Sequence, residues 1–205
     1  MEYIIKSNSY RLLKEKIDNI IANIDKENIT YFDLNENTTQ EILEECNYNS
    51  LFNEEKGIIV YNSNIFSTKF EYKEELEKLE SYLNNPNQYT TLVFITDNVS
   101  LKKKCVKMIK DNNNYIELKM PQKEELEDKI KEYLSNNNYK IESNALNKLI
   151  NNLNSNYDYI LNEIDKILLV KKDYVINIDD IEKYTIKILE DNIFDFIDCI
   201  IKKDD

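Results

Sequence analysis

Histidine is absent from all 205 residues, which excludes Ser-His-Asp and Cys-His catalysis and every histidine-ligated metal. Glycine occurs once, at Gly57. With a single glycine neither GxxxxGK[ST] nor GxGxxG can exist, so the familiar phosphate cradles are missing. Cysteine is sparse as well: Cys46, Cys105 and Cys199 are odd in number, far apart and without a CxxC pair. That pattern indicates neither a disulfide framework nor a thiolate metal site, and reads as reduced thiols in or near a core. No apolar run approaches the roughly 20 residues of a membrane span. The N-terminus lacks the charged region, long apolar core and small-residue cleavage site of a secretory signal, so the cytoplasm is the expected location. Positive charge is also short, with 27 Lys and Arg against 39 Asp and Glu and a net charge of −12. Nonspecific nucleic-acid binding draws its free energy from cations neutralising phosphates, so a protein partner is expected instead.

What is present reads as a helix-rich soluble protein: 41% of residues are hydrophobic and 32% charged. The length allows one large or two small domains. Short apolar runs at Tyr3 to Lys6, Ile29 to Leu34, Ile58 to Val60, Thr90 to Thr96 and Tyr115 to Leu118 predict strands. Between them lie helical patterns. Leu12, Leu13, Ile17, Ile20, Ile21 and Ile24 recur at helical spacing behind a cap at Ser9, and Thr38 or Thr39 caps a helix running to about Cys46. Lys73 to Leu83 and Ser100 to Lys110 supply two more. Strands alternating with helices predict a parallel sheet covered on both faces, with ligands beyond its carboxyl ends. After Met120 and Pro121 the character changes. Gln122 to Leu134, Ala145 to Leu153, Tyr157 to Val170, Ile178 to Leu189 and Ile193 to Ile201 all read as helices, which makes a small all-helical second domain. Asparagine runs at 112–114 and 136–138 read as turns.

Three places invite a functional reading. Leu51 and Phe52 form an apolar pair between polar neighbours, fitting neither a helical stripe nor strand alternation, directly before a buried-type strand. The pair is expected on a short helix or loop at the mouth of the sheet, and on residues alone it reads as satellite core beneath a loop. The loop Ser7-Asn8-Ser9 stands where nucleotide-binding α/β domains carry a glycine-rich turn, but side chains at each position obstruct close backbone approach to a phosphate. A structural turn is the better reading. The carboxylates at Glu74, Glu75, Glu77, Glu80, Glu124, Glu125, Glu127 and Asp128 are interleaved with lysine and read as solvated surface, and Glu163 stands one turn from Lys166 as a pairing partner. No catalytic residue, cofactor site or metal site is indicated.

The chain resembles the delta subunit of the bacterial DNA polymerase III clamp loader over that family's first two domains. Tyr3-Ile4-Ile5 followed by Tyr10-Arg11-Leu12-Leu13 resembles the family's start, and Ser50-Leu51-Phe52-Asn53-Glu54-Glu55-Lys56 before Ile58-Ile59-Val60 resembles its Ser-Phe/Leu-Phe segment. Leu83 to Pro86 before Thr91-Leu92-Val93-Phe94, Asn162 to Ile167, Ile178 to Glu182 and Asn192 to Asp198 follow in the family's order. The resemblance implies an AAA+-like parallel sheet flanked by helices over residues 1–138, with a degenerate nucleotide site and no cofactor. A helical lid domain over 139–205 follows, running into the start of a collar domain that is missing. It implies no ATPase activity in this chain, although the family works within the polymerase holoenzyme, a DNA-directed nucleotidyltransferase. It implies binding and opening of the beta sliding clamp through Leu51 and Phe52. Partnership with the tau/gamma and delta prime subunits, and contact with DNA only through the assembled complex, are implied too. Ser7 departs from the family, where glycine is common. The alternatives are a nucleotide-dependent AAA+ ATPase and a DNA-binding adaptor.

Overall fold

The computed structural model describes residues 1–49 and 54–187, with the side chains at 123 and 124 left aside. The chain divides into two compact units, Met1–Lys119 and Met120–Asp205.

In the first unit, β1 (Glu2–Lys6), β2 (Ile29–Asp33), β3 (Lys56–Tyr61), β4 (Thr90–Thr96) and β5 (Tyr115–Glu117) form one sheet in the order β2-β3-β4-β1-β5. Every pairing is parallel, with Ile4 opposite Phe94 and Ile58 opposite Leu92. The β-branched runs explain the centre of the sheet: Ile4, Ile5, Ile58, Ile59, Val60, Leu92 and Val93 are fully enclosed, as expected of strands covered on both faces. Each such side chain contributes about 1.5–3 kcal/mol by leaving water.

Alternation sorts these residues onto two faces. Ile4, Ile58, Val60, Leu92 and Phe94 pack with residues of α2 (Thr39–Asn47), α3 (Lys73–Asn84) and α4 (Lys104–Asp111), among them Ile42, Leu79 and Ile109. Phe66, in a short 3₁₀ turn at Asn64–Phe66, meets Phe94 edge-on with ring centroids 5.0 Å apart. Ile5, Ile59, Val93 and Ile95 face the other way, onto Ile17 of α1 (Tyr10–Ile20) and Ile21 just beyond it. The caps fall where the sequence places them. Ser9 accepts from Leu12 N, and Thr38 forms a reciprocal box with Glu41.

The second unit comprises α5 (Lys123–Asn136), β6 (Lys140–Ile141), α6 (Ser143–Asn152), α7 (Tyr157–Val170), β7 (Val175–Ile176) and α8 (Ile178–Tyr184). Asn156 and Asn177 cap α7 and α8. Its core is aliphatic, including Leu126, Ile130, Leu134, Leu149, Ile160, Ile164 and Ile181. Two features go beyond the sequence reading. Besides its helices, the unit holds a parallel ladder of two residues per strand, Lys140 with Val175 and Ile141 with Ile176. Its boundary also falls at 119/120, whereas the sequence reading ends the first domain at 138. The reason is visible in α5, whose apolar stripe is buried and whose end turns straight into β6, Tyr139 N donating to Leu134 O at 2.8 Å. α8 stops at Tyr184 rather than Leu189: Thr185 is extended, and Ile186 N donates to the Glu163 carboxylate at 3.3 Å. The helix expected at Ile193 to Ile201 lies outside the described residues.

Candidate functional site

Leu51 and Phe52 fall outside the described residues, but the frame that carries the segment between 49 and 54 is well defined. α2 ends with Cys46 fully enclosed, and its last carbonyls need partners, as at any helix C-terminus. Lys56, the first residue of β3, supplies them. Its ammonium donates to the main-chain oxygens of both Glu45 and Tyr48, pairs with the Glu45 carboxylate at 3.5 Å and sits 5.5 Å from the Tyr48 ring centroid. A cation at this helix end is also favoured by the helix dipole.

A second set of bonds ties the same region to the segment before β4. Asn87 Nδ2 donates to Cys46 O at 2.9 Å and to Asn49 Oδ1 at 2.6 Å. Thr90 Oγ1 donates to Cys46 O at 2.9 Å, and Lys56 N to Tyr89 O at 2.9 Å. The described residues on either side of 50–53 are therefore fastened to β4 and the segment that leads into it. Sequence reasoning missed Lys56, Asn87 and Thr90. Nothing in periodicity marks them, since Asn87 and Thr90 reach residues about 40 positions away in the chain.

Beyond the carboxyl ends of β1, β3 and β4 lies a cavity of about 620 Å³ lined by Ser7, Asn8, Asn62, Thr96 and Asp97 among others. This is the crevice where open parallel sheets bind ligands. Amides of the loop after β1 are already engaged: Ser7 N donates to Thr96 O, Ser9 N to Ser7 Oγ at 3.0 Å, and Leu12 N to Ser9 Oγ at 3.2 Å. A phosphate cradle depends on such donors pointing outward. Across the crevice Asn62, at φ 52, donates to the Asp33 carboxylate at 2.7 Å.

The remaining candidates behave as surface or core. Lys78 pairs with Glu74 at 3.0 Å and Glu75 at 3.4 Å, and Lys104 with Glu80 at 3.2 Å, all at the surface. Glu163 is buried and pairs with Lys166 at 2.5 Å, as its spacing suggests. Cys46 and Cys105 are enclosed free thiols, and Cys199 lies outside the described residues. Burial pushes the Cys46 thiol up to about 12 and the Cys105 thiol up to about 11, which removes the thiolate needed for nucleophilic or metal chemistry. Among the described residues no group of histidine, cysteine, aspartate or glutamate could hold a metal ion, and no helix is long and apolar enough to cross a membrane.

The family model for the DNA polymerase III delta subunit matches residues 3–119. DNA polymerase III subunit delta of Bacillus subtilis is 26% identical over 213 residues, covering 98% of this chain and 61% of that protein. This chain thus spans about three-fifths of the relative's length. Among solved structures, the Bacillus subtilis DNA clamp loader delta protein superposes with a TM-score of 0.68 at 23% identity, covering 99% of this chain and 63% of its own. The Thermotoga maritima RuvB Holliday junction branch migration motor gives 0.56 at 14% identity, covering 89% of this chain and 60% of its own. The AAA+-like fold expected from the sequence is the fold observed. With a family model matching more than half of the chain, from within β1 to the end of the parallel-sheet unit, the chain belongs to the DNA polymerase III delta subunit family.

Proposed function

We propose that this chain binds the ring-shaped beta sliding clamp and opens it for loading onto primed DNA, with Leu51 and Phe52 as the tip that enters the clamp. The observation that carries this reading is the frame around residues 50–53: just before them the Lys56 ammonium donates to Tyr48 O and Asn87 Nδ2 to Asn49 Oδ1, and just after them Lys56 N donates to Tyr89 O. A loop held at both ends loses less freedom when its tip docks, so more of the contact energy appears as affinity. Burying Leu and Phe in a partner pocket contributes about 1.5–3 kcal/mol each, enough for two residues to dominate an interface. The ring opens to the extent that the tip binds the open form better than the closed one.

In this reading the chain acts in the cytoplasm with the tau/gamma and delta prime subunits, meets DNA only through the assembled complex, and does no chemistry itself. The engaged amides after β1 support a role without nucleotide hydrolysis. The test is a pull-down of the sliding clamp with the chain and with Leu51→Ala plus Phe52→Ala. The double variant is expected to lose clamp binding with its thermal melt nearly unchanged; retained binding, or a large fall in melting temperature, would restore the core reading of the pair. Calorimetric titration with ATP and Mg²⁺ addresses the ATPase alternative, and no heat of binding is expected. Steeply salt-dependent affinity for duplex DNA would favour the adaptor alternative, which a net charge of −12 opposes.

A further inference from the structure

Fifteen tyrosines and no tryptophan make up most of the aromatic content, and three of the tyrosines converge where no core requires them. Tyr10, Tyr31 and Tyr61 keep 66%, 58% and 37% of their surface in contact with water. They line a cleft of about 170 Å³ together with Leu13, Lys14, Ile17 and Asp18. The placement follows from register. Tyr31 of β2 lies opposite Ile59 of β3, so Tyr31 and Tyr61, two residues beyond Ile59, share the α1 face of the sheet. Their rings run nearly parallel, at 19° with centroids 6.4 Å apart. On α1, residues 10, 13, 14, 17 and 18 form the single helical stripe that faces them. The Tyr61 hydroxyl titrates above the ordinary tyrosine value through burial, reinforced by Tyr31, Tyr10 and Asp18.

We propose that this cleft, walled by Tyr10, Tyr31 and Tyr61 with Asp18 at its rim, receives an arginine side chain from a basic segment of a partner protein. An aromatic face attracts a cation through its quadrupole, and a guanidinium can stack on one ring while pairing with a carboxylate. Exposed aromatic platforms also stack the bases of single-stranded nucleic acid, but they do so in grooves of positive charge. Here the adjoining cavity, which shares Tyr10, Leu13 and Tyr61, carries Asp97 and no lysine or arginine among its described lining residues. The chain as a whole is at −12. Charge complementarity therefore selects a basic protein segment. Lys14, four residues before Asp18 at the rim, is the one cation among the described residues that line the cleft, and it opposes an incoming guanidinium.

The experiment uses the 205-residue chain with ring-labelled tyrosine, titrated by NMR with N-acetyl-arginine amide, N-acetyl-lysine amide and a deoxythymidine oligonucleotide. Saturable shifts confined to Tyr10, Tyr31 and Tyr61 are expected with the arginine probe, weaker ones with lysine and none with the oligonucleotide. Tyr61→Leu is expected to weaken arginine binding about tenfold and Tyr61→Phe, which keeps the ring, less than about threefold. Lys14→Glu should tighten it. Should Tyr61→Leu fail to fold, Tyr31→Leu on the exposed edge strand makes the same test. Shifts scattered over tyrosines remote from the cleft, equal binding by the Leu and Phe variants, or tighter binding of the oligonucleotide would each overturn the proposal.

Discussion

The ammonium of Lys56 donates to the main-chain oxygen of Tyr48, eight residues earlier, and so ties together the described chain on either side of residues 50–53. One side chain thus finishes helix α2, begins strand β3 and fixes the separation of the two stems. Replacing Lys56 by methionine keeps the apolar stem but leaves the Glu45 and Tyr48 carbonyls without their charged donor. The expected result is a loss of about 1.5–3 kcal/mol in denaturant melts, the usual worth of hydrogen bonds to a charged group. Clamp affinity should fall about tenfold, because docking must then order the stems. Calorimetry or surface-bound clamp assays check the second figure, and unchanged affinity would detach Lys56 from the proposed function.

Stability in acid should depend on Asp180. Burial alone would raise its carboxyl, but the Asn177 amide at 2.8 Å and the Lys171 ammonium at 2.7 Å outweigh burial and hold it below the ordinary aspartate range. A carboxyl depressed on folding adds stability that is fully present above the unfolded value, about 3.9, and is lost as the pH falls through the lower folded value. Both side chains are nearly enclosed, at 8% and 13% exposure. Asp180→Asn, which strands the lysine, should therefore cost about 3 kcal/mol at pH 7. The gap between variant and parent should narrow below about pH 4, measured by urea melts at both pH values.

Cys46 and Cys105 should resist alkylation while the protein is folded. With thiols at about 12 and about 11, the thiolate fraction at pH 8 is about 10⁻⁴ and about 10⁻³, and access is closed as well. Site-resolved mass spectrometry after iodoacetamide should find both unmodified, and both modified in denaturant.

Phe66 is expected to be the costliest single truncation in the parallel-sheet unit. It is fully enclosed and meets Phe94 edge-on, although it belongs to a connection rather than to a strand or long helix. Phe66→Ala should lose about 3–5 kcal/mol by leaving a cavity. A thermal or denaturant melt reads the loss directly.

The five strands could be read from sequence because each is a β-branched or aromatic run whose neighbours are polar, and the caps because Ser9, Thr38, Asn156 and Asn177 stand immediately before periodic apolar residues. Ser143, expected from sequence as a cap or pre-helix turn like Asn156 and Asn177, is instead the first residue of α6, whose N-cap is Glu142. Elements too short to show a period were not legible, and β6 and β7 have two residues each. α4 starts at Lys104 rather than Ser100 for a tertiary reason. Lys103 turns inward to donate to Ile65 O at 3.0 Å and Phe70 O at 2.8 Å, and Ser100 N donates to Phe66 O. The oddness of Leu51 and Phe52 was legible as a broken pattern. The bonds that frame them were not, because those of Asn87 and Thr90 join residues distant in sequence, Lys56 belongs to no apolar pattern, and lysine, asparagine and threonine are common on any surface.

Left-handed backbone in this protein is found at Asn62, Asn113, Asn138, Asn154 and Ser155 among the described residues, and at no glycine. Gly57 itself could accept a methyl group, whose nearest neighbours would be isoleucine side chains at 3.5 Å and beyond. Four of these five bends are thus written in side-chain amides, which are thermolabile. Prolonged heating should age the molecule at its corners first, each deamidation adding another negative charge where one element hands the chain to the next.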